Sequence, residues 1–546
     1  MSFFELLRRE MQGSLGRLAF MSAVGGVSTA AIIGAINAGA EAANAGEVDL
    51  WAAGLFIVAL VLFVHVQHYI LITTATEIGA VVHKLRLRLM DYVRRAELLP
   101  LETIGRAEIV SAITTETTTL TQASNLLAFA AQGALLIVLV IAYVAYLSLF
   151  AFVLCVLIVG VGVAVFYSKT MRQAADMREA TAWENQLYDR LSDVLDGFKE
   201  VRLHRARSDA LFDHAVAVSQ TATDIKIRTQ SAIYRRMILL QTSLYTVLGA
   251  VAFVVPMFMA MDSGSIAKAV TALVFIVGAC SGLVQAIPTI ASANAAADRL
   301  VRLERALSRV ANRPNDTAAD PLASFSRIEM QDVEFHYPDT SSDRAFRVGP
   351  FNFTLNAGDL VVLTGGNGSG KSTFMKLLAG LYPPASGSIR LDGRQVGGGD
   401  TDAYRSLITA IFPDFHLFQR LYGIADSPGE IVPMLAQFKL QDKTGVSDGA
   451  FRTVDLSSGQ RRRLALIVAQ LERRPILLLD EWAADQDPEF RRKFYFELLP
   501  ALHRAGVTVV AISHDDRYIE DMDVPIRRLR MDEGRFIETG SVENRR

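Results

Sequence analysis

Over the first 300 positions the apolar residues come in long runs rather than in the short alternating stretches of a soluble sheet. Six runs, near 17–38, 50–82, 125–147, 149–168, 237–260 and 266–295, reach the roughly 20 apolar residues that a helix needs to cross a bilayer with its backbone polar groups satisfied internally. A token turn separates the third from the fourth. The connections at 83–124 and 169–236 are too long for simple loops, and apolar residues there recur at helical spacing, as in Leu85, Leu89, Tyr92 and Val93. The pattern predicts that the spanning helices continue beyond the bilayer. They would turn at Leu99-Pro100-Leu101 and Asp196-Gly197-Phe198-Lys199-Glu200, tips expected to touch the domain beneath so as to bury their apolar stripes.

Around 305–325 the chain turns polar, and Arg313-Pro314-Asn315-Asp316 breaks the helical periodicity. From 326 onward strand-like runs alternate with helical ones, the signature of an α/β domain. The expected organisation is an all-α six-helix transmembrane domain over 1–305, a linker over 306–325 and an α/β domain over 326–546.

Charge adds orientation. The short connection at 39–50 carries Glu41, Glu47 and Asp49 and no basic residue. By contrast 83–124 holds Lys84, Arg86, Arg88, Arg94, Arg95 and Arg106, and 169–236 is similarly basic. The excess of Lys and Arg marks the cytoplasmic side, which places both termini and the α/β domain there. Overall the chain is nearly neutral, with 55 Lys plus Arg against 57 Asp plus Glu, so the global basic excess of a nucleic-acid binder is missing and no nucleic acid is expected as a partner. The two cysteines, Cys155 and Cys280, lie inside apolar runs and read as packing residues. The amphipathic start, MSFFELLRRE, leads into the first run without a convincing cleavage site, so that run is expected to be retained as a membrane helix, with no peptidase domain ahead of it. Polar residues inside the runs, His65, Gln67, His68, Gln132, Gln241 and Gln285, suggest the wall of a wet cavity, and Pro256 and Pro288 are expected to bend their helices.

The chemistry-bearing segments lie in the second half. Gly365-Gly366-Asn367-Gly368-Ser369-Gly370-Lys371-Ser372-Thr373 fits G-x-x-x-x-G-K-[ST], follows the apolar run Leu360–Thr364 and precedes a helical one. Its glycines let backbone N–H groups approach phosphate oxygens, Lys371 supplies positive charge, and Ser372 would hold Mg²⁺. Downstream, Ile476–Leu479 ends in Asp480-Glu481. Period-2 geometry points these two carboxylates to opposite sides, so Asp480 can reach the metal while Glu481 faces the attacking water as general base.

Leu456-Ser457-Ser458-Gly459-Gln460 resembles the signature motif of the ABC ATPases. Together with the phosphate loop, Asp480-Glu481 and His514 after the apolar run 507–512, it makes the whole second half similar to that superfamily. The resemblance implies a composite site, in which Ser457, Gly459 and Gln460 of one copy close over ATP held by residues 365–373 of another, hence a homodimer. It further implies that Tyr337 stacks on adenine, that His514 contacts the γ-phosphate, and that Asp487 lies at the dimer contact. Six spans fused ahead of one cassette resemble the exporter branch. Asp414-Phe415-His416-Leu417-Phe418 and the stretch 480–488 resemble the bacterial cyclic-peptide and siderophore exporters of pyoverdine and syringomycin type. The implied function is ATP-driven export of a small peptide or siderophore precursor across the bacterial inner membrane. A lipid flippase of the same architecture is the alternative, and a non-transporting regulator is a weaker one given an intact Glu481.

Two departures stand out. The position of the usual Mg²⁺-contacting glutamine, which senses the membrane domain, falls at Pro413, whose side chain cannot coordinate. Trp482-Ala483-Ala484-Asp485-Gln486 also replaces the usual Pro-Thr-Ser-Ala-Leu ahead of Asp487. ATPase activity is expected to survive both.

Overall fold

The computed structural model describes residues 3–11, 14–167, 170–258, 263–311, 322–337, 346–424 and 428–537. They fall into two compact units, Met1–Asp91 with Ala107–Arg305, and Tyr92–Arg106 with Ala306–Arg546. The N-terminal stretch is helical: α1 (Phe3–Glu10), α2 (Ser14–Asn44), α3 (Leu50–Arg95), α4 (Leu98–Ile104), α5 (Arg106–Ser111), α6 (Thr117–Leu147), α7 (Leu149–Tyr167), α8 (Thr170–Asp196), α9 (Phe198–Leu203), α10 (Arg205–Gly249), α11 (Val255–Phe258) and α12 (Ser263–Val310).

The described residues of all six apolar runs lie on helices. Among the described residues, four helices are long and apolar enough to cross a membrane: Gly16–Ala43, Leu50–Arg95, Phe129–Leu147 and Arg205–Phe258. Two further apolar stretches, Leu149–Val161 and Gly264–Cys280, are shorter. The token turn is a single residue. Ser148 is extended, with φ −159°, and its Oγ accepts from the Ala151 N–H at 3.2 Å, so it ends α6 and caps α7 at once. Asp49 caps α3 by accepting from the N–H groups of Trp51 and Ala52 at 2.9 and 3.0 Å.

Ahead of Pro256, residues Ala250–Val254 form a π-helical turn, the local adjustment a helix makes around a residue that supplies no N–H donor. Pro288 lies inside the unbroken α12. That helix runs through the boundary expected at 305, whereas Arg313-Pro314-Asn315-Asp316 lies outside the described residues. Cys155 belongs to a buried apolar cluster with Leu136, Val140, Leu244 and Ala272, and Cys280 packs against it. The amphipathic start forms α1, which buries Phe3, Leu6 and Leu7. Its Glu10 accepts from Arg88 at 2.9 Å, and this bond, with help from Arg9, holds the carboxyl below its usual range despite burial.

The second unit carries β1 (Arg327–His336), β2 (Arg347–Asn356), β3 (Leu360–Gly365), α13 (Lys371–Leu378), β4 (Ser386–Leu391), β5 (Arg394–Gln395), α14 (Thr401–Ser406), β6 (Ile408–Ile411), α15 (Pro428–Gln437), β7 (Val446–Ser447), β8 (Ala450–Phe451), α16 (Ser458–Leu471), β9 (Ile476–Asp480), α17 (Pro488–Lys493), α18 (Leu499–Arg504), β10 (Thr508–Ile512), α19 (Asp516–Glu520), β11 (Arg527–Asp532) and β12 (Arg535–Ile537). A six-stranded sheet runs β12-β11-β3-β10-β9-β6, parallel except for β12. A four-stranded antiparallel sheet runs β2-β1-β4-β5.

Strands β9 and β10 are buried at every position, as the continuous apolar runs require of strands covered on both faces. Their residues alternate between two cores. Val362, Leu477, Leu479, Val509 and Ala511 face α15, α16 and α17. Val361, Leu363, Ile476, Leu478, Val510 and Ile512 face the antiparallel sheet and α13. This two-sided packing fixes the ends of β3, β9 and β10, where the chemistry lies.

Candidate functional site

The phosphate loop spans the end of β3 and the start of α13. Glycine is required by sterics at two of its positions. Gly365 has φ 146° and a Cβ there would sit 2.1 Å from the Met531 carbonyl oxygen. Gly370 has φ 98°, and its Cβ would sit 2.7 Å from Val348 Cγ1. Asn367 and Gly368 are exposed at the loop tip, while Ser369 is buried with its Oγ lacking a hydrogen-bond partner. Lys371, the first residue of α13, turns its Nζ back to donate to the carbonyls of Gly365 and Gly366, both at 2.9 Å. The loop is thus closed on itself by its own lysine and by the Ser369 N–H, which donates to the Gly366 carbonyl at 3.2 Å. At the far end of β1, Tyr337 is partly exposed, meets Phe335 edge to face at 5.1 Å, and pairs its hydroxyl with Thr373 Oγ1 at 3.0 Å.

Asp480 ends β9, fully buried, and its Oδ2 has no hydrogen-bond partner. Burial raises its pKa. The Ser372 hydroxyl and Lys371 work against this, and the neighbouring Glu481 charge works with it. Glu481 follows in the left-handed region, with φ 49° and ψ 36°, which a non-glycine residue holds only where its surroundings fix it. The Glu481 Oε1 lies 3.1 Å from His514 Nε2. His514 is flanked by residues pinned from one side: the Tyr495 hydroxyl lies 2.6 Å from Ser513 Oγ and donates to Asp515 at 3.0 Å. Burial, above all, pushes the Tyr495 phenol upward.

The second group of residues sits at the start of α16. Ser457 is its N-cap in a capping box: Ser457 Oγ accepts from the Gln460 N–H at 3.4 Å, and Gln460 Oε1 accepts from the Ser457 N–H at 3.2 Å. Gly459 is buried, and a Cβ there would lie 2.6 Å from the Asp485 carbonyl oxygen. Asp487 caps α17 by accepting from the Phe490 N–H at 2.9 Å. That bond and Arg463 together lower its pKa. Gln460 and Asp487 therefore carry local structural duties alongside any role in a dimer.

Between the two groups lies a set of contacts that sequence reading did not find. Arg462 donates to the Glu481 carbonyl and pairs with Asp485 through Nε at 3.0 Å. Trp482 donates its indole N–H to the Arg462 carbonyl at 2.9 Å and stacks on Phe494 at 4.4 Å. Gln486 donates to the Gly459 carbonyl at 3.1 Å and accepts from Arg463 Nε at 2.8 Å. The atypical stretch 482–486 is thus a lock between Glu481 and the start of α16. The only sequence signal was the coincidence of an unusual loop with three consecutive arginines, Arg461 to Arg463, which spacing alone does not pair.

From this lock we expect Arg462→Ala to lower kcat for ATP about tenfold, with KM for ATP nearly unchanged, because the Glu481 turn loses a charged hydrogen bond worth about 1.5–3 kcal/mol while the phosphate loop stays intact. A steady-state ATPase titration checks it, and an unchanged kcat would mean that Arg462 only packs.

In the membrane-spanning helices, His65 Nδ1 lies 2.8 Å from the Val61 carbonyl, a bond within its own helix. Gln67 Oε1 is buried without a partner. Gln132 packs against Gly25, Gln241 is exposed, and the side chain of Gln285 lies outside the described residues.

A phosphate loop at the end of a central parallel strand, a buried Asp480 followed by a half-buried Glu481 at the end of another, and a capped signature helix tied to the loop after it define an ATP-hydrolysing cassette. The sequence profile of the ABC transporter family matches residues 348–484. Over 521 residues the chain is 31% identical to the ATP-binding protein SyrD of Pseudomonas syringae pv. syringae, covering 92% of this chain and 90% of that protein. The chain belongs to the ABC transporter family: it is a membrane protein that binds ATP and couples ATP hydrolysis to transport. It is also 31% identical to the ATP-dependent lipid A-core flippase of Paraburkholderia xenovorans (strain LB400), but over 226 residues, 39% of this chain and 37% of that one. A solved bacterial Atm1-family ABC exporter with ATP bound shares the fold at a TM-score of 0.76 and 20% identity, covering 98% of this chain and 95% of that one.

Proposed function

We propose that two copies of this chain form a homodimeric exporter in the bacterial inner membrane, with six spans and a cytoplasmic cassette each. It moves a small peptide, cyclic or non-ribosomal, or a siderophore precursor out of the cytoplasm. The observation that carries the reading is the extent of the likeness to SyrD, which runs through membrane and cassette regions alike. The flippase likeness covers less than half of either chain, so a lipid cargo stands as the second reading.

ATP would lie with its adenine on Tyr337 and its phosphates on the N–H groups of Asn367, Gly368, Ser369, Gly370, Lys371, Ser372 and Thr373, with Gly365 shaping the loop. The unpartnered Asp480 oxygen and the Ser372 hydroxyl form a hard-oxygen pair that fits Mg²⁺. When bound there, Mg²⁺ supplies neutralising charge to the phosphate oxygens. Glu481 would accept a proton from the attacking water as its oxygen bonds to the γ-phosphorus and the bond to the β-phosphate oxygen breaks. His514 would orient Glu481 and meet the γ-phosphate. Ser457, Gly459, Gln460 and Asp487 of the second copy would complete the site. Closing of the two cassettes would then be passed to the membrane helices through the 99–101 and 196–200 tips, in the second of which Phe198 stands exposed.

ATPase activity in lipid nanodiscs, measured against cyclic lipopeptides, siderophore precursors and phospholipids, tests the cargo class. Stimulation by a peptide or siderophore precursor supports export of that class, and stimulation by phospholipid alone overturns it in favour of the flippase.

A further inference from the structure

Pro413 stands where a glutamine would sense the membrane domain, and both it and Asp414 are exposed. The side chain at 413 cannot coordinate, and the cassette-bearing unit contains a second candidate set for the connection between ATP and the membrane helices. That unit includes α4, whose Leu98 and Leu99 pack against the same core as Phe374, Leu377 and Leu378 of α13. Acidic residues on either side of this apolar contact grip the far end of α13. Glu97 is paired with Arg405, which also donates through Nε to the Gly380 carbonyl at 2.9 Å. Glu102 accepts from the Tyr382 hydroxyl at 2.5 Å and from Lys376 Nζ at 3.1 Å, and Lys376 donates to the same hydroxyl at 3.0 Å. Tyr382 is fully buried, stacks on Phe335 at 4.9 Å and meets the Tyr337 ring edge-on at 6.0 Å.

Both clasps therefore converge on residues 376–382, the last turn of α13 and the bend after it. The first turn of α13 closes the phosphate loop, and Tyr337 is hydrogen-bonded to Thr373 in that turn. An eight-residue helix is a rod about 12 Å long, and a close-packed interior passes displacement of one end to the other.

We propose that α13 is the element that couples nucleotide to membrane in this protein. Phosphates at its first turn and adenine on Tyr337 set its position. The Glu97–Arg405 and Glu102–Tyr382–Lys376 clasps hand that position to α4, without the loop at Pro413. The proposal rests on the transport reading and names the residues through which that reading must work.

The test is a double-mutant cycle on the full-length protein in nanodiscs, using Glu97→Arg, Arg405→Glu and the two together, alongside Glu102→Gln and Pro413→Ala. The readout is the vanadate-trapped, ATP-dependent change in spin-label distance at Gly46→Cys on the two copies, with Cys155 and Cys280 replaced by serine. ATPase rate and thermal midpoint are measured in parallel. Each single clasp variant is expected to keep ATP turnover within about threefold but to lose the trapped population about fivefold or more, the low end of an allosteric coupling. The charge-swapped pair is expected to regain it, because a cycle isolates the pair from its separate structural effects. Pro413→Ala is expected to leave it unchanged. Clasp variants that shift like wild type, a swap that stays defective with a wild-type midpoint, or a Pro413→Ala that abolishes the shift would each overturn the clasp route alone. A wild-type protein with no vanadate-dependent shift would bring down the transport reading and the clasp with it.

Discussion

Glu481→Gln is expected to slow ATP hydrolysis by about 10²–10⁴-fold, the usual worth of a positioned general base, which corresponds to roughly 3–5 kcal/mol of transition-state stabilisation. Glutamine keeps the size of the side chain and can still pair with His514 Nε2, now 3.1 Å from Glu481 Oε1, but it cannot take a proton. The left-handed turn at 481 and its anchoring by the Arg462 guanidinium involve only the backbone of Glu481, so the fold and ATP affinity should persist. Equilibrium binding of a fluorescent ATP analogue and single-turnover hydrolysis, made on the same preparation, separate the two. Hydrolysis within threefold of wild type would remove Glu481 from the role of base.

Lys371→Ala should fail at the earlier step. Its ammonium donates to the Gly365 and Gly366 carbonyls in this structure, and those bonds are ready to be exchanged for phosphate oxygens. Charge-assisted hydrogen bonds of this kind are worth about 1.5–3 kcal/mol each. Losing two should weaken ATP binding by about 10²-fold or more. The same titration that finds normal affinity in Glu481→Gln should find little binding at micromolar ATP in Lys371→Ala. Equal affinities in the two variants would mean that the loop backbone alone holds the phosphates.

Where signals are local, the sequence was readable. The phosphate loop is a contiguous run whose glycines are fixed by immediate sterics, and β9 and β10 are continuous apolar runs because both of their faces are covered. The six apolar runs were equally plain, since lipid leaves no alternation to decipher. What escaped was pairing at a distance. Glu97 and Glu102 were overshadowed by the basic residues around them, which carry the orientation signal, yet their partners are Arg405, Lys376 and Tyr382, more than 270 positions on. Arg462 and Gln486 likewise gain their meaning only when α16 is laid against the loop after β9. Gln460 and Asp487 show the opposite case, in which a motif position also serves as a helix cap.

ATP-driven movement of cargo by this chain alone is the property that makes it an exporter. The direct measurement is uptake of a labelled cyclic lipopeptide or siderophore precursor into inside-out vesicles, with wild-type protein and with Glu481→Gln. Accumulation that needs ATP and Mg²⁺ and disappears in Glu481→Gln is the predicted result. Brisk ATP hydrolysis with no accumulation of any peptide or siderophore precursor, alongside ATP-dependent movement of labelled lipid between leaflets, would contradict it.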